Sequence, residues 1–336
     1  MQDRLIFLIG SPRSGTTLLS RMIGAHSSVV APPEPHLMPP LAHLGYHESV
    51  QTAPYDPYIT RQGLREFVGS LPGGEQDYLD ALRAMTDTLY RRALEAEDAR
   101  WFLDKTPAYA LVLDFLARLY PSARYVVITR HPLAVWSSFV ESFFDGDHEV
   151  AHAHNPLLER YVPAIARFLR EQPVPLRHVR YEDLVREPEQ EIQGICDFLG
   201  LPFEPGMIDY GSGEEGTKTA PRGLGDPMTV GRESRPTTRS IGKWAQQLGS
   251  DPGKLAQARE ILGRLLDPDL ETWGHPRGEI EAELEAVRST DAAPRRRLSR
   301  YRLERKLVVA LRRNIHTNAL GRLVRRARDL CDVLLR

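Results

Sequence analysis

Cysteine is nearly absent from this chain: Cys196 and Cys331 are the only two among 336 residues. Two isolated thiols make neither a disulfide framework nor the paired spacing of a zinc site, and they suit a reducing compartment. No run of about 18 apolar residues occurs, so no spanning helix is expected. No basic segment followed by an apolar stretch and a cleavage site precedes residue 10, and the reading is of a cytoplasmic protein. An excess of one charge is also missing, with 44 Lys/Arg against 45 Asp/Glu for a net −1. What remains, 41% apolar and 26% charged, is an ordinary globular composition, long enough for one large domain with an appendage or for two domains.

That balance hides a split. From Ala292 to Arg336 there are 14 Lys/Arg against Glu304, Asp329 and Asp332, or +11, so the rest of the chain carries −12. The basic stretch interleaves Leu298, Tyr301, Val308, Leu311, Ile315, Leu320, Leu323 and Val324 among arginines, the pattern of amphipathic helices. It reads as helices packed on the acidic body or on a second subunit of a homo-oligomer. A peripheral contact with an anionic membrane surface or an acidic carrier protein is the functional alternative. No nucleic-acid motif accompanies the charge.

At the other end, Leu5-Ile6-Phe7-Leu8-Ile9 runs into Gly10-Ser11-Pro12-Arg13-Ser14-Gly15-Thr16-Thr17 and then the periodic Leu18–Ile23. Strand, glycine-punctuated turn and helix together aim backbone N–H groups and a helix N-terminus at an anion. The frame is that of a phosphate-binding loop, yet Thr16 stands where nucleotide-hydrolysing loops carry lysine. Arg13, inside the loop, is the cation instead.

Further strands are expected at Trp101–Asp104, Arg124–Thr129 and Leu176–Val179. Helices are expected at Arg61–Ser70, Tyr78–Glu97, Tyr109–Tyr120, Pro132–Phe144, Leu157–Arg170, Glu187–Leu199, Pro252–Leu266 and Gly278–Val287. Residues 31–58 and 205–240 are rich in Pro or Gly and read as long irregular loops. Strands alternating with helices imply an α/β fold, a P-loop-like parallel sheet flanked by helices with a basic helical C-terminal extension. The division is a domain over 1–288, a linker over 289–294 and the extension over 295–336. Ligands of such sheets bind beyond the carboxyl ends of the strands, where the loops after Ile9, Asp104 and Thr129 lie.

Arg130 follows the most clearly buried strand, and Ser138 comes eight residues later. A guanidinium suits forked hydrogen bonding to a phosphate. The bland alternative is a solvated strand-end arginine and a helix-surface serine. Beside the anion loop, the pair suggests a second phosphate site on one ligand.

These residues carry a resemblance. Pro12, Arg13, Ser14, Gly15, Thr16 and Thr17 with Arg130 and Ser138 resemble the paired motifs of sulfotransferases that use 3′-phosphoadenosine 5′-phosphosulfate (PAPS). The resemblance implies that the loop holds the 5′-phosphosulfate and that Arg130 and Ser138 hold the 3′-phosphate, leaving 3′-phosphoadenosine 5′-phosphate (PAP) as product. It further implies that Tyr181 contacts the adenine, that Lys105 touches the transferring group, and that Arg239, Ser240 and Lys243, around Gly242-Lys243-Trp244, close over the 3′-phosphate. The N-terminal spacing is similar to the protein-tyrosine type. There a catalytic glutamate lies 21 residues beyond the loop arginine, a count that lands here on Glu34, the only carboxylate between Asp3 and Glu48. Small-molecule sulfotransferases use a histidine base, which keeps His36, His43 and His47 as alternatives.

Such chemistry needs a base within reach of an acceptor hydroxyl, and cations where charge builds on the sulfuryl oxygens and leaving phosphate. Glu34, Arg13 and Lys105 are therefore the catalytic candidates, and no metal is expected. The acceptor is expected to bear a hydroxyl on an apolar or amphipathic molecule, free or tethered to a carrier protein. The segment from Gly225 to Trp244 resembles bacterial natural-product sulfotransferases. Competing readings are a nucleotide-dependent kinase and a non-catalytic nucleotide-binding adaptor. His148-Glu149-Val150-Ala151-His152 matches a zinc-protease pattern, but after Asp145-Gly146-Asp147 it reads as a chance match in a solvent-facing loop.

Overall fold

A computed structural model describes residues 1–47, 57–210, 234–287 and 303. The linker, nearly all of the basic extension and Cys331 lie outside the described residues, as do parts of both Pro/Gly-rich segments. Five strands form one all-parallel sheet: β1 (Leu5–Ile9), β2 (Val29–Val30), β3 (Trp101–Asp104), β4 (Arg124–Thr129) and β5 (Leu176–Arg180), in the order β2-β3-β1-β4-β5.

Every residue of β1 is fully buried. Alternate side chains go to opposite faces: Leu5, Phe7 and Ile9 join the larger core with Tyr125 and Val127, while Ile6 and Leu8 join the other with Val126 and Ile128. A central parallel strand with helices on both faces needs such an uninterrupted apolar run. After β1 the chain moves to one side of the sheet for β2 and β3, then crosses to the other for β4 and β5. That reversal at β1 is a topological switch point, where the carboxyl-end loops part and leave a crevice.

The structure corrects several expectations. β2 and the helices Tyr181–Arg186, Lys243–Gly249 and Asp267–Trp273 were not anticipated. Each is short, and packing rather than periodicity supports it. Within 31–58 there is a helix at Met38–Ala42, with prolines in its first turn where they cost no hydrogen bond, and another helix begins at Pro57. The expected Tyr109–Tyr120 helix is a 3₁₀ turn, Pro107–Leu111, broken at Val112 from the helix Leu113–Leu119. The turn sends Tyr109 inward to a buried carboxylate. The His148–Glu149–His152 pattern lies on a helix, His148–His154, not in a loop. His148 is buried, and its Nδ1 lies 2.7 Å from the Gln257 side-chain oxygen.

Candidate active site

The loop after β1 turns within a few residues. The Ser14 amide and hydroxyl both donate to the Ser11 carbonyl, at 3.2 and 2.8 Å. Gly15 takes φ +99°, and a Cβ there would stand 2.5 Å from the Tyr181 ring. Only glycine satisfies both demands. Arg13 also has positive φ, 70°, a conformation uncommon for a side-chain-bearing residue. The helix Thr16–Gly24 opens with its first bond from the Leu19 amide to the Gly15 carbonyl. Amides of the first turn, Thr16 to Leu18, therefore lack helical acceptors and present the positive end of the dipole at the sheet edge.

Arg130 is delivered by register. Thr129 pairs with Arg180 across β4 and β5, so Arg130 and Tyr181 leave adjacent strands side by side, with the guanidinium 4.3 Å from the ring centroid. The same guanidinium donates to the carbonyls of Arg13 (3.1 Å) and Ser240 (3.2 Å). Its backbone is fixed as well. The Arg130 carbonyl accepts the Trp273 indole N–H at 2.8 Å, and the next amide, His131, donates to Glu182 at 3.0 Å. The His131 ring stacks on Trp244 at 4.6 Å. Burial and the neighbouring His275 push His131 down to about 3, so this imidazole is neutral at physiological pH and adds no charge behind Arg130. Burial alone would raise the Glu182 carboxyl, but the His275 ring 3.4 Å away and the donating His131 amide bring it to about 2.

Arg13 Nε donates to Ser138 Oγ at 3.0 Å, joining the two motifs that lie 125 residues apart. Arg13, Gly15, Thr16, Thr17, Arg130, Ser138, Tyr181, Arg239, Ser240 and Lys243 line one cleft of about 610 Å³. Pro12 and Ser14 are not among its lining; Ser14 is fully buried and shapes the turn. Sequence reasoning missed Arg21, Glu141, Ser142 and Gln247 in the same lining. Helical spacing was the available signal, since Glu141 and Ser142 stand one turn beyond Ser138 and Arg21 one turn beyond Thr17. Among the described residues, five cations face the cleft (Arg13, Arg21, Arg130, Arg239, Lys243) against the single carboxylate of Glu141. That carboxylate is itself ion-paired to the buried Lys254.

Glu34 and Lys105 stand outside this lining and form their own pair. Lys105 Nζ donates to Glu34 Oε1 at 2.6 Å, with the side chains 5% and 13% exposed. Such low exposure makes each group the other's principal partner. The strand register explains Lys105, because Phe7 pairs with Asp104 and the lysine leaves β3 beside β1. Of the three alternative histidines, His36 is adjacent to Glu34, its Nε2 3.4 Å from Oε2. His43 is exposed, and His47 packs on Phe115 and Tyr46. Among the described residues no group of three or more His, Cys, Asp or Glu could hold a metal ion, and no helix is long and apolar enough to cross a membrane.

The model of the sulfotransferase family matches residues 5–205, a span that includes all five strands. The chain belongs to the sulfotransferase family. Among curated relatives it is 30% identical to the nodulation protein NoeE of Sinorhizobium fredii over 263 residues, 73% of this chain and 60% of that one. It is 28% identical to a putative protein-tyrosine sulfotransferase of Caenorhabditis briggsae, over 62% of this chain and 69% of the relative. The chain thus spans under two thirds of the length of NoeE. A solved structure of the sulfotransferase domain from the Synechococcus PCC 7002 olefin synthase shares the fold, with a TM-score of 0.50 at 24% identity. That match covers 78% of this chain and 95% of the domain. The matched region contains the loop, Glu34, Lys105, Arg130, Ser138 and Tyr181, whereas Arg239, Ser240, Lys243 and Trp273 lie beyond it.

Proposed function

We propose that the protein transfers a sulfuryl group from PAPS to a hydroxyl of an apolar or amphipathic acceptor. The observation that carries this reading is the Arg13–Ser138 and Arg130–Arg13 bonding that joins two anion sites in one cationic cleft. PAPS bears a 5′-phosphosulfate and a 3′-phosphate, and the cleft offers a cation set for each. The loop amides with Arg13 suit the first, and Arg130, Ser138, Arg239, Ser240 and Lys243 the second. Gly15 lets the loop lie directly against Tyr181, because a Cβ at that position would clash with the ring. When bound, the donor supplies an activated sulfur whose bond to the 5′-phosphate oxygen breaks as the acceptor oxygen attacks in line.

In this reading Glu34 removes the acceptor proton, while Lys105 and Arg13 meet charge on the sulfuryl oxygens and the leaving phosphate. The Phe143 ring is 5.9 Å from Arg13. With the aromatics and prolines of residues 31–58, this ring favours a lipid-like, phenolic or carrier-tethered hydroxyacyl acceptor over a polyanionic glycan. A screen of hydroxyacyl, phenolic and sugar acceptors with radiolabelled PAPS chooses among them.

Thermal shift tests the donor. PAP at about 100 times its dissociation constant should stabilise the fold by about 2.7 kcal/mol, whereas Mg-ATP should do little, since Thr16 replaces the lysine that reaches β- and γ-phosphates. The opposite ranking would return the chain to the kinase reading. Replacing Arg130 with alanine should weaken PAP by about 10–100-fold, the cost of hydrogen bonds to a charged group, and 5′-AMP much less. Equal losses for both nucleotides in calorimetry would remove Arg130 from the 3′-phosphate site.

A further inference from the structure

Asp104, the last residue of β3, is fully buried, and its nearest polar partners are two phenols. Tyr90, from the helix Glu75–Ala96, donates to Oδ2 at 2.6 Å, and Tyr109 donates to the same oxygen at 3.0 Å. Burial lifts this carboxyl to about 7, against the pull of the two phenols and of Lys105. Burying a carboxylate is costly, and an apolar side chain would serve packing better. What the carboxylate supplies is direction. A phenol has one hydrogen; with that hydrogen committed to Asp104, the Tyr109 oxygen turns its lone pairs outward.

Those lone pairs receive the Leu37 amide at 3.1 Å, and Thr106 Oγ1 receives the neighbouring His36 amide at 3.2 Å. Residues 36 and 37 follow Glu34 by two and three positions, and residues 106 and 109 follow Lys105 by one and four. The segment carrying the carboxylate therefore hangs, at two points, from the segment carrying the ammonium. His36 has φ +54° at this docking point, a backbone conformation that needs support from its surroundings. Tyr90 touches the same carboxylate but has no contact with the Glu34 segment among the bonds described.

We infer that Asp104 and Tyr109 are positioning residues that dock the Glu34 segment onto β3 and so hold Glu34 against Lys105. The inference rests on the proposed roles of Glu34 and Lys105, but the docking can be measured without them. The experiment compares Tyr109→Phe with Tyr90→Phe in the full chain at pH 8. Both remove one hydroxyl from Asp104 and both keep the ring, so a role confined to satisfying Asp104 treats them alike.

Amide hydrogen exchange should rise by about 10-fold or more at Leu37 in Tyr109→Phe, the effect of leaving one backbone donor without its acceptor, and stay at the wild-type rate in Tyr90→Phe. Release of radiolabelled sulfate from PAPS to water should fall by a similar factor in Tyr109→Phe alone, with PAP affinity by calorimetry unchanged in both. Equal responses of the two variants, or none at Leu37, overturn the inference. If wild type fails to bind PAP, the donor reading fails instead, and the exchange comparison still decides the docking.

Discussion

Replacing Glu34 with glutamine should lower transfer from PAPS by about 10²–10⁴-fold, the range lost when a positioned general base is removed. PAP affinity should stay where it was, because Glu34 lies outside the cationic cleft. The fold should survive, since the glutamine carbonyl can still accept the Lys105 N–H that Glu34 accepts at 2.6 Å. Single-turnover transfer and calorimetry on the same preparation read both quantities. Transfer at the wild-type rate would move the base to a histidine, and His36, beside Glu34 at 3.4 Å, would be the next to replace. The result also separates an enzyme from a nucleotide-binding adaptor, in which the substitution has no rate to lower.

Lys105→Met should be nearly as damaging to transfer, by about 10²–10³-fold, the usual loss when one donor to a developing oxyanion is removed. Methionine keeps the length and apolar stem of the side chain and deletes the charge. Unlike the glutamine variant, this one should also lose stability, by about 1–3 kcal/mol, because Glu34 is left poorly solvated without its donor. Adding Glu34→Gln to Lys105→Met should recover much of that stability and none of the transfer. Urea unfolding of the two single variants and the double variant closes the cycle. Full additivity in stability would mean that the two side chains do not interact in solution.

Much of the donor cleft was legible in the chain because its parts are local. A strand of five apolar residues, a turn requiring glycine and a helix start follow one another within β1 and the next helix. Arg130 and Ser138 sit on an equally local strand–turn–helix unit, β4 and the helix from Pro132. Short-range periodicity and turn chemistry reach that far. Glu34 is reached only through the family resemblance, by counting from Arg13, and not by any local signal, since its surroundings are prolines without period. The short elements were missed for the corresponding reason: β2, two residues long, exists because Val29 and Val30 pair with Trp101 and Phe102.

The amino-acid sequence by itself determined the family, the parallel α/β class and the glycine-punctuated loop without a lysine, since each is carried by motifs that are local in the chain. Tertiary structure alone decided which loops meet. Pairing of Thr129 with Arg180 puts Arg130 on Tyr181, and pairing of Phe7 with Asp104 brings Lys105 out beside the first loop's strand. The Glu34–Lys105 pair spans 71 residues and the Trp273–Arg130 bond 143. Contacts at those separations follow from sheet order and register, which no local pattern encodes.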